Sequence, residues 1–157
     1  MDKRKRLLGE NMSQSESKLG RIIFARFSED EDLLESITTT AEQNKIHAGI
    51  FFLIGTLKEA KLGFYEKGEY KTIEIREPLE ILSCLGNISL KEETMEVIVH
   101  AHLTVSNLKG EAFGGHLLKG CKIGATAELT LIEAVGVKLM RKFDTEKKLY
   151  LWNFETT

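Results

Sequence analysis

The sequence has no apolar run long enough to cross a membrane as a helix. Such a helix needs about 20 predominantly apolar residues, and charged or polar residues interrupt every stretch of that length in the 157-residue chain. Residues 1–6 are basic, but the apolar core and cleavage site of a secretory signal do not follow them. We therefore expect a cytoplasmic protein that contacts no membrane.

Cysteine is scarce and the common nucleotide-binding motifs are missing. Cys84 and Cys121 lie in separate apolar stretches without the C-x-x-C spacing of zinc or redox sites, which favours buried free thiols. No Walker-type or G-x-G-x-x-G loop occurs, and no serine stands in a nucleophile-elbow pattern. Nucleotide binding and covalent catalysis therefore have no support in the sequence.

Charge is nearly balanced overall but is not evenly distributed. The formal net charge is −2, which argues against a surface built entirely for nucleic acid. Residues 1–27 carry seven Lys or Arg and three Asp or Glu, so any attraction to phosphate groups is expected near the N-terminus. We interpret residues 1–18 as a flexible basic and polar arm, and residues 19–157 as a single domain large enough to bury a core without disulfides.

Hydrophobic patterning predicts one helix and a series of strands. A first strand is followed by a helix in which Ser28 and Glu31 form a capping box and which ends near Asn44. From Ala48 onward nearly every segment has strand character, and the single proline, Pro78, lies between two of these segments. The sequence therefore predicts an α+β domain, a mostly antiparallel sheet of about seven strands with one main helix packed on it.

Three of the four histidines fall between positions 100 and 116. In the segment EVIVHAHLTV, strand alternation places Ala101 and Leu103 on the core face and His100 and His102 together on the other face. The turn-forming segment SNLKG then leads into a second strand, which carries His116. A loop centred at position 108 would set His116 directly opposite His100 and diagonal to His102, with all three histidines on one face.

Three neutral imidazoles on one face suit Zn²⁺ or another borderline divalent ion, and they leave a coordination position for water or a substrate. Gly114 and Gly115 precede the third histidine, and glycine within a strand marks a bulge or a close approach, so we interpret them as backbone that shapes the site. Glu128, in the next strand, is the candidate catalytic base. Two alternatives stay open: the histidines can pack at a surface or subunit contact, and Glu128 can be a solvated or interface-paired carboxylate.

Four segments within residues 21–133 read EDEDLLESITTTAEQNKIHAGIFFLIGTLKEAKLGFY, EPLEILSCLGNISL, VIVHAHLTVSNLKGEAFGGHLLKG and GATAELTLIE. In this order they resemble the plant and prokaryote conserved domain, also called the PPC or DUF296 domain. The resemblance implies an antiparallel sheet with a packed helix, a homotrimer, and a metal-binding unit formed by His100, His102 and His116. It also matches Gly114 and Gly115 to the glycines of the family's G-G-H-L motif and Glu128 to the family's carboxylate. It implies no particular reaction.

In plants this family is joined to AT-hook motifs, whose R-G-R-P element enters the minor groove of A·T-rich DNA. The present chain contains no R-G-R-P. A basic cluster near its start can neutralise phosphates without reading bases, and a trimer would present three such arms together. The cluster consists of Lys3, Arg4, Lys5 and Arg6. Three functions thus stay open: a homotrimer that binds a divalent metal, with zinc expected, a DNA-associated protein without sequence preference, and a metal-dependent enzyme acting on a small molecule.

Overall fold

The computed structural model describes residues 13–154, which form nine strands and one helix. The elements are β1 (Lys18–Phe27), α1 (Leu33–Gln43), β2 (Gly49–Glu66), β3 (Glu69–Ile75), β4 (Leu79–Lys91), β5 (Val97–Ser106), β6 (Ala112–Leu117), β7 (Lys122–Val135), β8 (Met140–Asp144) and β9 (Leu149–Asn153). The predicted α+β class is confirmed, with nine strands in one sheet where the sequence indicated about seven. Within residues 13–154, the only helix is far too short and too polar to span a bilayer.

The predicted N-terminal arm falls largely outside the described residues. Residues 1–12, which include the basic cluster at positions 3–6, are not described. Residues 13–17 precede β1 and have no regular secondary structure. The arm and its boundary with the domain therefore stay predictions.

β2 is the longest strand, and it pairs with four others along its length. Its first half lies between β4 and β7, and its second half pairs with β3 and β6. The strand order is β1-β7-β2-β6-β5-β4-β8-β9, and the additional β2–β4 pairing closes β2, β6, β5 and β4 into a ring. The pairing of β2 shifts at Gly55, whose φ is +147° and where a Cβ would lie 2.4 Å from the carbonyl oxygen of Thr126. Only glycine fits this bend.

The helix begins four residues later than the sequence predicted. Its N-cap is Asp32, whose carboxylate accepts a hydrogen bond from the backbone N–H of Glu35 at 3.2 Å. The predicted capping box is therefore wrong. The backbone N–H of Ser28 donates to the Glu31 carboxylate at 3.2 Å, but both residues lie in the loop before the helix. The predicted end is correct, with Asn44 as C-cap. The side chains that α1 buries are Leu33, Ile37 and Ala41.

One hydrophobic core fills the space between α1 and the inward face of the sheet. Its largest fully buried side chains are Phe51, Leu33, Ile37, Ile46, Leu53, Leu57, Leu62, Ile88, Leu103, Ile123, Leu129 and Leu131. Both cysteines are buried free thiols, as predicted. Burial raises the pKa of Cys84 to about 12 and that of Cys121 to about 11. Both thiols are therefore protonated at neutral pH and act as apolar core residues.

β8 and β9 form a hairpin that extends the sheet beyond β4. β8 runs parallel to β4, with Leu90 opposite Met140 and Lys91 opposite Arg141. The sequence indicated a strand for the tail but not for β8. The hairpin brings Arg141 into the protein, where its side chain is 6% exposed.

Candidate metal centre

β5 and β6 carry the three histidines on the outward face of the sheet. His100 and His102 alternate along β5 with apolar residues that face the core, as predicted. The ring centroids of His100 and His102 are 5.5 Å apart. The ring centroid of His116 lies 5.1 Å from that of His100 and 5.6 Å from that of His102. One nitrogen of each ring lies within 4.8 Å of the others. The fold thus brings the three predicted ligands together.

The register of the β5–β6 hairpin differs from the predicted one by two residues. His116 pairs with His102 and lies diagonal to His100. The loop spans residues 107–111, one residue later than predicted, because the Asn107 side chain accepts hydrogen bonds from two backbone N–H groups of the loop, both at 3.1 Å. A shift of two residues keeps every side chain on its face, so the histidines still converge.

β6 approaches β2 closely at Gly115. A Cβ at that position would lie 3.0 Å from the carbonyl oxygen of Gly63 and 3.2 Å from the Cβ of Leu62. At Gly114, on the opposite face, the nearest atom would be the carbonyl oxygen of Leu103 at 3.3 Å. The β5–β6 pairing continues through both glycines without a bulge. Glycine within a strand can mark a bulge or a close approach of two backbones, and the structure shows the close approach here.

His116 is the most enclosed of the three histidines. Its ring lies 4.8 Å from that of Tyr70, centroid to centroid. Among residues 13–154, its Nδ1 is the one buried side-chain nitrogen or oxygen without a hydrogen-bond partner. Burial, together with His100 and His102, lowers the pKa of His116 to about 4. The ring is therefore neutral at physiological pH and offers a nitrogen lone pair without competition from a proton.

Arg141 is a site residue that the sequence analysis missed. Its Nη2 donates to Nδ1 of His100 at 3.1 Å and to Oδ1 of Asn87 at 3.0 Å. Its Nε donates to the Ser89 hydroxyl at 2.9 Å, and its Nη1 donates to the carbonyl oxygen of Tyr150 at 2.7 Å. Burial and the neighbouring guanidinium lower the pKa of His100. No local pattern marks Arg141, since its partners come from β4, β5 and β9.

The donor set fits a divalent transition metal. Zinc–nitrogen bonds of about 2.0–2.1 Å place tetrahedral ligands roughly 3.3 Å apart, so small side-chain rotations would complete the site. The unpartnered Nδ1 of His116 is the kind of buried atom that a ligand would satisfy. Because a guanidinium can only donate, Nδ1 of His100 accepts from Arg141 and the proton of the neutral ring lies on Nε2. A metal bound at Nδ1 of His100 would displace the guanidinium directly, and a metal bound at Nε2 would leave the proton of the neutral ring on Nδ1, so either mode would remove the hydrogen bond from Arg141 to His100.

An exposed apolar row lies beside the histidines on the same face of the sheet. Phe24, Phe52 and Leu85, on β1, β2 and β4, are 78%, 47% and 60% exposed. Cross-strand pairing aligns them, through Thr130 of β7, with His102 of β5. We call Phe24, Phe52 and Leu85 the outer apolar row.

Glu128 is not brought to the histidines within one chain. It lies on β7, exposed on the outward face and paired with Arg26 and Ile54. β7 is separated from β5 by β2 and β4, a distance of about 14 Å at strand spacings of roughly 4.8 Å. The role of Glu128 as a base stays a prediction. The basic cluster at positions 3–6 lies outside the described residues.

The chain matches one family model and several solved structures. The model described as the Plants and Prokaryotes Conserved (PCC) domain matches residues 14–135. A plant- and prokaryote-conserved (PPC) protein of Pyrococcus horikoshii is 36% identical, with a TM-score of 0.83 over 93% of this chain and 100% of that one. A metal-containing protein of Archaeoglobus fulgidus is 32% identical, with a TM-score of 0.83 over 91% of this chain and 100% of that one.

A third structure, from Ralstonia eutropha, is of a protein named as a candidate DNA-binding protein. It is 25% identical, with a TM-score of 0.73 over 83% of this chain and 90% of that one. Among curated proteins, the bifunctional protein GlmU of two Synechococcus strains is 32% identical over 116 residues and 30% identical over 125 residues. These matches cover 73% and 79% of this chain but only 17% and 19% of the relatives. The chain therefore spans less than a fifth of their length.

Proposed function

Because the chain belongs to the Plants and Prokaryotes Conserved (PCC) domain family, we propose that it is a homotrimer in which each chain binds a divalent metal ion, zinc, through His100, His102 and His116. The observation that carries the proposal is the convergence of three ring nitrogens within 4.8 Å of one another. The unpartnered Nδ1 of His116 adds to it. The metal-containing relative from Archaeoglobus fulgidus, 32% identical, gives further support.

The surroundings of the histidines suit metal binding. Burial keeps His116 neutral, and the Tyr70 ring covers it on one side. His102 is exposed, so the cluster stays accessible from solvent. Three protein ligands leave one position open, at which bound zinc would supply Lewis-acid chemistry.

Elemental analysis of the full chain, purified without chelators, tests the metal site. We expect about one zinc per chain in the parent protein and none in a His100→Ala/His102→Ala/His116→Ala variant whose fold is confirmed by circular dichroism. His47→Ala is the matched control, because His47 is exposed and lies outside the cluster. A parent protein that stays metal-free after incubation with divalent ions, or a triple variant with the parental zinc content, would contradict the proposal.

The outer apolar row supports self-association. Large apolar side chains that are exposed side by side on a sheet face are typical of a protein contact, and Phe24 is 78% exposed. The number of copies, three, is the one that the family resemblance implies. Light scattering of the parent protein is expected to give three times the chain mass. A Phe24→Asp/Phe52→Asp variant is expected to be monomeric, because association would bury two unpaired carboxylates.

Leu108→Asp is the control for this test, since Leu108 is fully exposed in the β5–β6 loop and away from the row. We expect it to leave the mass unchanged. A parent protein with the mass of one chain would refute the trimer. A trimer that persists in the double variant would place the contact elsewhere.

DNA association through the basic cluster is the second candidate. The relative from Ralstonia eutropha that is named as a candidate DNA-binding protein, 25% identical, favours it. We expect the full chain to bind duplex DNA without sequence preference, with a log–log salt slope of about −3 to −4 for one arm. Deletion of residues 2–6 should abolish binding in a fluorescence anisotropy assay. Binding that survives the deletion or does not change with salt would exclude this mode.

A metal-dependent enzyme with Glu128 as base is the third candidate, and it depends on assembly. Glu128 and His102 are both exposed on the face that carries the outer apolar row. Association of two copies across this row is the arrangement that would carry Glu128 of one copy towards His102 of another.

A further inference from the structure

Arg141 is a buried cation without a carboxylate partner. Its side chain is 6% exposed, and none of the ion pairs among residues 13–154 includes it. Its hydrogen-bond acceptors are an amide oxygen, a hydroxyl, a backbone carbonyl and an imidazole nitrogen. All four are neutral. A buried charge is normally paired with an opposite one, because neutral acceptors compensate only part of the lost hydration.

A cavity of about 200 Å³ lies against this cation. Arg141, His100 and His116 contribute its polar groups together with two tyrosines, and the other lining side chains are aliphatic. The two tyrosines are Tyr70 and Tyr150, and the aliphatic residues are Ile98, Val99, Leu149 and Leu151. The cavity is smaller than the roughly 300–1,000 Å³ of pockets for drug-sized ligands. It therefore suits a small molecule with one charged group and a short apolar part.

The guanidinium has one donor to spare. Four of its five N–H groups donate hydrogen bonds within the protein: the one on Nε, one of the two on Nη1 and both of those on Nη2. The second N–H of Nη1 has no acceptor among the described residues. A metal bound to His100 would remove the hydrogen bond from Nη2 to this ring and release a further N–H, which would increase the capacity of Arg141 to bind an anion.

We propose that this cavity binds a small aliphatic monocarboxylate, whose carboxylate accepts a hydrogen bond from Arg141 and whose chain packs against Ile98 and Leu151. The inference rests on the proposed function, because two of the three histidines line the same cavity. A metal ion held by them would be the second positive group that attracts the carboxylate. It adds to that function the class of ligand that the site takes.

The cavity favours a carboxylate over phosphate. A phosphate dianion needs several charged donors, whereas Arg141 is the one cation that lines the described cavity and has one free N–H, and four aliphatic side chains form much of the remaining wall. A carboxylate with a short chain matches both features. It balances the charge of Arg141, and its chain covers the apolar walls.

Isothermal titration calorimetry of the zinc-loaded full chain tests the inference, with zinc content measured on the same samples. The probes are butyrate, its neutral isostere butyramide, and inorganic phosphate. We expect butyrate to bind in the parent protein and the other two to bind at least about tenfold more weakly. Arg141→Gln should weaken butyrate binding to a similar extent, while the exposed Arg76→Gln control leaves it unchanged.

A second variant covers the case in which Arg141→Gln does not fold. Leu151→Phe fills the cavity without touching the guanidinium hydrogen bonds, and we expect it to weaken butyrate binding at least about tenfold and to retain zinc. Leu82→Phe is its control, because Leu82 is exposed and outside the cavity.

The outcomes separate the two claims. Equal affinity for butyrate and butyramide, or tighter binding of phosphate, overturns the carboxylate inference. Parental butyrate affinity in a folded Arg141→Gln or Leu151→Phe variant overturns it as well. A parent protein that takes up no zinc overturns the proposed function, whichever ligand result accompanies it.

Discussion

His116 of β6 lies directly across the ladder from His102 of β5, and diagonally from His100. Directly opposed residues of an antiparallel pair have Cα atoms about 4.5–5.5 Å apart, within the range that a disulfide can bridge. Diagonal pairs are separated by roughly 7–8 Å. We therefore predict that a His102→Cys/His116→Cys variant forms a disulfide in air, as detected by mass spectrometry. A His100→Cys/His116→Cys variant should remain reduced, and the reverse result would restore the register expected from the sequence.

The depressed pKa of His116 predicts a pH dependence of stability in the metal-free protein. The folded pKa is about 4, against 6.5 for an ordinary imidazole, so between these values the unfolded state binds a proton that the folded state does not. The free energy of unfolding should thus fall as the pH decreases from 6.5 to about 4, by up to about 1.4 kcal/mol per pH unit. Urea denaturation of a His116→Asn variant should show a shallower slope. The exposed His47→Asn control should keep the parental slope, and equal slopes for all three proteins would contradict the prediction.

Asp32 stabilises the start of α1. Its carboxylate accepts hydrogen bonds from the backbone N–H groups of Glu35, at 3.2 Å, and Gly120, at 2.7 Å, and thereby ties the helix to the segment before β7. Asp32→Ala leaves both donors without this acceptor and should lower the free energy of unfolding by about 1–3 kcal/mol. Ser28→Ala should change it by less than about 0.5 kcal/mol, because Ser28 donates there only through its backbone N–H. Similar losses in the two variants would argue for the N-cap expected from the sequence.

Gly115 permits the approach of β6 to β2, and a methyl group there should force the two strands apart. Its Cβ would meet the Gly63 carbonyl oxygen at 3.0 Å, and backbone cannot rotate away as a side chain can. Gly115→Ala should cost about 1–3 kcal/mol of stability and weaken zinc binding, because the displaced segment includes His116. At Gly114, which faces outward, Ala should cost less. Zinc titration and denaturation of both variants check the order, and equal effects would refute it.

Glu128→Gln should leave the zinc content of the protein unchanged. Two strands separate β7 from β5 within the chain, so Glu128 cannot be a ligand of the cluster in its own chain. Elemental analysis of the variant beside the parent protein provides the measurement. Loss of zinc on this substitution would mean that Glu128 reaches the metal from a neighbouring copy.

Alternation along β5 was sufficient to place His100 and His102 on one face, because the period of a strand depends only on backbone geometry. The register of β6 was not accessible in the same way. It depends on the Asn107 side chain, which accepts hydrogen bonds from two backbone N–H groups and moves the loop centre by one residue. The face was correct because that change shifts the pairing by two residues.

Arg141 could not be found from the sequence. It stands in a charged tail segment, MRKFD, which has the composition of a solvated strand. Its burial arises from tertiary contacts with Asn87, Ser89 and His100. The capping box predicted at Ser28 was wrong for a related reason. Asp32 is the N-cap, and its carboxylate also accepts a tertiary hydrogen bond from the backbone N–H of Gly120, which the local sequence does not indicate.

The β8–β9 hairpin lies beyond residue 135, where the match to the family model ends. The imidazoles and the guanidinium therefore come from separate stretches of the chain. Apart from the hydrogen bond from Arg141 to His100, β8 and β9 contribute only to the walls and the charge of the cavity, so this stretch can diverge while the three histidine positions stay the same. Under the function and the ligand class proposed above, related proteins would in this way keep one metal centre and differ in the organic molecule that each of them selects.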